Sequence, residues 1–359
     1  MPTKQAAGPG EIWAEPVRGG YPDPAALELP GRERLEAFRR IDGPFPPLFH
    51  LTGARPVRFG TGTADAEMPA SGWLTNSAGV IGGGVLGIVA DIAFGCAIET
   101  EMPARVPYTT AELSMSFLRP ARSGGTIVAS GQTIHAGRSV GLAEAFLLDA
   151  ESERLIAHGT SRLSILPPVD GRPHIADPSP LAVGPGEPPD PYLRDPRGEV
   201  VPQAAWASLS GTELLGLIAS GEFGHPPISR LTGCGLIDFS DGEATMRLPL
   251  TRWLTTPART VQGGVTAMLA DAAMMNAVLT TAPAGTAIAG LDLKVNFLRP
   301  VIADGTELEA RAAVIHRGRT IAIARATLTN ADGKPVAIAT GSAMYLPGRA
   351  ASLGEAELG

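Results

Sequence analysis

Residues 82–97 read GGGVLGIVADIAFGCA and residues 262–277 read QGGVTAMLADAAMMNA. Each stretch sets an aspartate inside an apolar helical run that opens on a glycine pair: Gly83, Gly84 and Asp91 in the first, Gly263, Gly264 and Asp271 in the second. The two sets lie 180 residues apart, and the same offset joins LTG at Leu51 to LTG at Leu231, Trp73 to Trp253, FLRP at Phe117 to FLRP at Phe297, and Leu166-Pro167 to Leu346-Pro347. So many coincidences at one spacing mean an internal duplication. IHAGR at Ile134 pairs with IHRGR at Ile315 one residue out of step, a slip that loops absorb. The repeat predicts a domain over 31–167 and a second over 211–347. A Pro-, Gly- and Ala-rich tail over 1–30, a Pro-rich linker over 168–210 and a C-terminal tail over 348–359 complete the division.

The order of elements follows from periodicity. GTELLGLIAS (211–220) is a short amphipathic helix, and GLIDFSDGEATMRLPL gives two strands turning at Ser240-Asp241-Gly242. Val265–Leu279 lacks Pro and Gly and is rich in Ala, Met and Leu, which favours helix. Leu291, Leu293, Val295 and Phe297 then alternate with polar residues as in a half-buried strand, and three further strands are expected near 306–316, 319–329 and 335–346. A long central helix among antiparallel strands is an α+β domain. Because that helix is apolar around most of its circumference, a sheet should wrap it, and the other repeat should cover what the sheet leaves.

The 359 residues are 44% hydrophobic and 18% charged, with a net charge of -7. This describes a globular chain and gives no reason to expect nucleic acid. Two cysteines, Cys96 and Cys234, occupy unequal repeat positions, which argues against disulfides and thiolate metal sites. No apolar stretch of signal or membrane-spanning length occurs, so a cytoplasmic setting without a membrane is expected. His135 and His316 fall at equivalent strand ends, without a second ligand at metal spacing. No metal or cofactor is expected.

Asp91 and Asp271 lie eight residues beyond Gly83 and Gly263, two turns into the helix, where an N-cap cannot be. A carboxylate among apolar neighbours is costly unless paired, and a raised pKa suits a general base; a buried structural hydrogen bond is the alternative. The glycine pairs make a tight turn into the helix and also leave its first N–H groups open to a ligand carbonyl, with the helix dipole favouring developing negative charge. Eight residues of helix span about 12 Å, too far for the glycine and the aspartate of one repeat to act on one carbon. Antiparallel helices would instead bring Gly263 to Asp91 and Gly83 to Asp271, making the chain a covalent dimer with two composite sites.

On these residues both repeats resemble hotdog-fold acyl-CoA thioesterases of the phenylacetic-acid-degradation and 4-hydroxybenzoyl-CoA thioesterase type. The resemblance covers 45–167 and 225–347. It implies a sheet wrapped around the helix, dimeric pairing, Asp91 and Asp271 as base or nucleophile, and Gly83 and Gly263 as donors to the thioester carbonyl, with Gly84 and Gly264 beside the substrate. Where that family carries His before the glycines, this chain has Gly82 and Gln262; its Asn is matched by Asn76 but replaced by Thr256; its hydroxyl on the following strand is matched by Thr110 but replaced by Gly290. The two sites are therefore unequal in sequence. The implied reaction is acyl-CoA hydrolysis, with a noncatalytic acyl-CoA binding protein as the rival. A hotdog hydratase fits less well, since its D-x-N-P-x-H motif is absent, and no Gly-x-Ser-x-Gly elbow occurs. Arg138, Arg317 and Arg319 are candidate contacts to coenzyme A phosphates, solvated loop charge being the alternative. A further pairing of the double unit into a homodimer is also an expectation.

Overall fold

A computed structural model describes residues 11–39, 45–169 and 188–349. The first half contains α1 (Gly31–Arg39), α2 (Pro47–Thr52), β1 (Arg55–Gly60), β2 (Thr63–Pro69), α3 (Gly83–Glu99), β3 (Tyr108–Phe117), β4 (Thr126–Ala136), β5 (Val140–Asp149) and β6 (Leu155–Ile165). The second contains α4 (Gln203–Ser208), α5 (Gly211–Ser220), α6 (Pro227–Thr232), β7 (Gly235–Ser240), β8 (Glu243–Pro249), α7 (Gly263–Thr280), β9 (Thr286–Phe297), β10 (Glu307–Arg317), β11 (Ile321–Thr329) and β12 (Pro335–Pro347). The twelve strands form one antiparallel sheet in the order β1-β2-β4-β5-β6-β3-β9-β12-β11-β10-β8-β7. Its second half mirrors its first, so the duplication reappears as a pseudo-twofold architecture.

Each half of the sheet curls around its own long helix. The strands alternate buried and exposed residues, as in β11 with Ala322, Ala324, Ala326 and Leu328 inward. α3 and α7 have almost no polar face, and both are buried nearly all round, by sheet on one side and by each other on the other. Fully buried side chains such as Phe94, Leu86 and Leu269 each contribute roughly 1.5–3 kcal/mol. The halves join where β3 pairs with β9, with Leu113 opposite Val295, Ser114 opposite Lys294 and Met115 opposite Leu293. Ser114 and Lys294 are themselves repeat equivalents, so the pseudo-axis passes between them. The architecture is two tandem hotdog domains, as the resemblance implies, and each is the α+β domain with a sheet-wrapped helix that the periodicity predicts. No helix among the described residues is long and apolar enough to cross a membrane.

The expected N-terminal tail and Pro-rich linker are, over their described residues, packed arms, and each reaches across to the opposite half while also bonding its own, through Leu27 to Arg105 and Trp206 to Gly285. Residues 1–10, 170–187 and 350–359 of these segments are outside the described residues. The first arm turns at Ile12–Ala14, its Glu15 carbonyl accepts from Trp253 Nε1 at 3.1 Å, and Glu11 pairs with Arg230 at 2.6 Å. The second turns at Pro191–Leu193, its Arg194 carbonyl accepts from Trp73 Nε1 at 2.9 Å, and Asp190 meets His50 at 3.0 Å. Arg194 and Glu15, at 2.7 Å, tie the arms together. The prolines confine these segments to short turns and the six-residue α4, but buried tryptophan N–H groups needed acceptors, and the arms' carbonyls supply them.

Candidate active site

α3 and α7 run antiparallel, so the N-terminus of each meets the middle of the other. The Gly264 N–H donates to Asp91 Oδ2 at 3.2 Å, and the Gly84 N–H donates to Asp271 Oδ2 at 2.8 Å. The amide hydrogen-bonded to each carboxylate is thus that of the second glycine of the pair. Gly263 remains adjacent, since a Cβ there would lie 3.0 Å from Asp91 Oδ2. Close approach is what the second glycines supply: a Cβ on Gly264 would lie 2.3 Å from the Gly87 carbonyl oxygen, and one on Gly84 would lie 2.5 Å from Asp271 Cβ.

Around these carboxylates the halves differ. Thr110 Oγ1 donates to Asp91 Oδ1 at 2.9 Å, so both Asp91 oxygens are held, one from its own half and one from the other. Gln262 caps the same corner, with Nε2 donating to the Ile88 carbonyl at 2.8 Å and Oε1 buried without a partner among the described residues. Asp271 has Gly290 in place of Thr110 and Gly82 in place of Gln262, and its Oδ1 is buried without a partner among the described residues. Burial pushes Asp91 up to about 6 against the lowering pull of Thr110, Gly264 and Gly263. Burial likewise pushes Asp271 up to about 6, opposed by the Gly84 amide. The N-terminal end of the facing helix favours charge on each carboxylate, but desolvation wins.

Asp91 opens onto a cavity of about 1330 Å³ between the halves. The first half and its arm contribute Tyr21, Leu35, Phe38, Ile92, Cys96 and Thr110; the second contributes Thr256, Gln262, Gly263 and Phe297. Asn76, expected beside the acid, is turned into its own loop, where Oδ1 accepts from the Ala78 and Val80 amides at 2.9 and 3.3 Å. Thr256 likewise accepts from Ala258 N at 3.2 Å, although it lines the cavity. Arg138, Arg317 and Arg319 are exposed at the β4–β5 and β10–β11 turns and do not line the cavity. Arg317 instead donates to the Thr281 carbonyl at 2.6 Å, capping the far end of α7. The arginines on the cavity wall are Arg34, Arg252, Arg259 and Arg299. Arg259 stacks 4.3 Å from the Tyr21 ring centroid, and Arg299 donates to the Pro335 carbonyl. Reading the two copies against each other singles out Arg34, Arg252 and Arg259, whose equivalents are Leu214, Gly72 and Gly79; Arg299, matched by Arg119, needed the fold.

A carboxylate able to take a proton, a helix N-terminus facing it and an apolar cavity beside it can bind an acyl compound and stabilise an oxyanion. The model of the thioesterase superfamily matches residues 78–156 and again 259–337. A Halobacterium salinarum protein named "putative esterase" is 34% identical over 122 residues, which cover 32% of this chain and 79% of that protein. In fold the chain is similar to the tesB protein of Mycobacterium avium subsp. paratuberculosis, at a TM-score of 0.50 and 17% identity over 84% of this chain and 98% of that one. A "putative thioesterase" from Novosphingobium aromaticivorans gives a TM-score of 0.51 and 15% identity over 80% and 97%. The chain belongs to the thioesterase superfamily, carries its domain twice, and has thioester hydrolysis as its general reaction class.

Proposed function

We propose that the protein hydrolyses acyl-CoA thioesters in the cytoplasm, at a single working site built on Asp91. The observation that carries this reading is that the Asp91 carboxylate, held by Thr110 from one half and Gly264 from the other, faces the large cavity. An acyl group occupies that cavity with its carbonyl oxygen turned to the N-terminus of α7, where Gly263 and the helix dipole stabilise the tetrahedral oxyanion. Asp91 then either removes a proton from an attacking water or adds to the carbonyl carbon. The second route expels coenzyme A as its thiolate and leaves an anhydride, which water opens to the free acid and the regenerated carboxylate. Arg252, Arg259 and Arg299, all from the second half, are the proposed contacts to the coenzyme's phosphates. Asp271, without the hydroxyl and the glutamine that flank Asp91, serves to receive the N-terminus of α3.

Thiol release from a panel of short, medium, long and aromatic acyl-CoAs tests the reading. Turnover of at least one class is expected. Binding of acyl-CoA without thiol release from any would replace hydrolysis with acyl-CoA binding.

The acid limb follows from the same carboxylate. With Asp91 at about 6, log kcat/KM should rise with unit slope up to about pH 6 and level above it, because the protonated acid can neither accept a proton nor attack. A profile flat from pH 4 to 8 would remove Asp91 from the chemistry.

A further inference from the structure

Arg34 on α1, Glu99 at the end of α3 and Tyr108 at the start of β3 all line the cavity. Arg34 Nε donates to Glu99 Oε1 at 2.5 Å, and Tyr108 Oη donates to Glu99 Oε2 at 3.0 Å. At the repeat-equivalent positions stand Leu214, Leu279 and Ile288, with Leu214 and Leu279 fully buried. The second half thus docks α5 on α7 with apolar residues at all three positions and no ion pair, its Thr212 hydroxyl donating to the Thr280 carbonyl at 2.8 Å, so the fold does not require the polar trio. Replacing a buried ion pair by apolar residues of similar size is often neutral or stabilising. Retaining one on a cavity wall, next to apolar Leu35 and Phe38, calls for a role outside stability.

α3 also makes room for the phenol. A Cβ on Gly95 would lie 2.8 Å from Tyr108 Oη, and the equivalent residue on α7 is Met275. Burial and the neighbouring Glu99 push the Tyr108 phenol well above its ordinary range, so it remains a neutral hydroxyl.

Position relative to Asp91 can be read on two rulers. Tyr108 and Thr110 share one face of β3, about 7 Å apart, and Thr110 bonds Asp91. Glu99 lies eight residues beyond Asp91 on α3, about 12 Å along the axis. Between them the wall carries Ile92 and Cys96. A bound chain would run over apolar surface from Asp91 and meet the trio at its far end.

The trio's chemistry narrows what that end carries. Both Glu99 oxygens are occupied and the Arg34–Glu99 pair is net neutral, so a further carboxylate there would be an uncompensated charge. The Tyr108 oxygen retains acceptor capacity, and Arg34 Nη1 is buried without a partner among the described residues. An alcohol, which donates and accepts, satisfies both.

We infer that the cavity selects acyl chains of medium length bearing a hydroxyl group at the far end, recognised by Arg34, Glu99 and Tyr108. This rests on Asp91 as the site of thioester cleavage. Calorimetric titration of the full chain with the thioethers S-octyl-CoA and S-(8-hydroxyoctyl)-CoA tests it without requiring turnover. The hydroxylated compound should bind at least tenfold tighter. The preference should shrink in Tyr108→Phe and reverse in Arg34→Leu/Glu99→Leu/Tyr108→Ile, the residues the second half carries at these positions beside Met275. Equal or weaker binding of the hydroxylated compound, or a preference that survives the triple substitution, would overturn the inference. Thiol release from the corresponding thioesters, followed in parallel, separates the two readings: a hydroxyl preference without any thiol release would count against hydrolysis and leave recognition standing.

Discussion

Asp91→Asn should lower kcat for thioester hydrolysis by roughly 10³-fold or more, and Asp271→Asn should leave it within a fewfold. The carboxamide at 91 is neither base nor nucleophile. It also presents an NH2 group to one of two donors, Thr110 Oγ1 and the Gly264 N–H, which now hold the two carboxylate oxygens. At 271 the geometry is permissive. The carboxamide oxygen can take the Gly84 N–H while the NH2 group occupies the place of the unpartnered Oδ1. Stability should respond in the opposite sense to a simple loss of contacts. Asp271 is raised from 3.8 to about 6 by burial, so the folded chain holds that proton more tightly than the unfolded chain. Its ionisation destabilises the fold progressively as pH rises from about 4 to about 6, and the full penalty persists above. Asp271→Asn should therefore stabilise the protein at pH 7 by up to about 3 kcal/mol and lose that advantage below pH 4. Steady-state kinetics with urea unfolding at both pH values checks both halves of the expectation; equal losses of activity in the two single variants would mean two working sites.

Gly264→Ala should be among the most damaging single methyl additions in the chain, costing about 3 kcal/mol or more. The new Cβ would stand 2.3 Å from the Gly87 oxygen, 2.6 Å from its carbonyl carbon and 2.6 Å from Ile88 Cα. These are backbone atoms of a buried helix, so no side-chain rotation relieves the clash and α3 and α7 must separate. Separation also withdraws the Gly264 N–H from Asp91, so activity should fall with stability. Gly216→Ala is the control: it lies within α5 with nothing within 4 Å of its Cβ position, and should stabilise by roughly 0.5–1 kcal/mol. Denaturant midpoints of the two variants decide the matter, and a Gly264→Ala protein as stable as the parent would show that the helices do not meet this closely.

Much of this is legible in the amino-acid sequence. The duplication, the strand–helix–strand order and the wrapped helix follow from repeat spacing and periodicity. The cross-half pairing follows from one length: eight residues of helix hold a glycine and an aspartate too far apart to cooperate within one repeat. Thr110 against Gly290 was visible as a mismatch between copies. Other features were hidden for physical reasons. Which glycine amide touches the carboxylate depends on helix rotation, to which spacing is blind. The arms at 11–29 and 188–209 look like linkers because their proline content is that of a linker, and only the tryptophan N–H groups they satisfy reveal otherwise. Arg138, Arg317 and Arg319 are charges within a repeated motif, but that motif makes hairpin turns at the ends of strands, away from the cavity.

The seam between β3 and β9 allows something that two identical chains could not have. On a true twofold axis a residue must face its own copy, so a dimer of second halves would set Lys294 against Lys294, a like-charge pair that weakens a sheet. In the single chain Lys294 faces Ser114 and its ammonium lies 3.7 Å from Glu112, which also meets Arg162. Fusion has released the centre of the molecule from symmetry, letting one copy specialise as the host of a pocket and the other as the wall that completes it. It also makes their association independent of dilution.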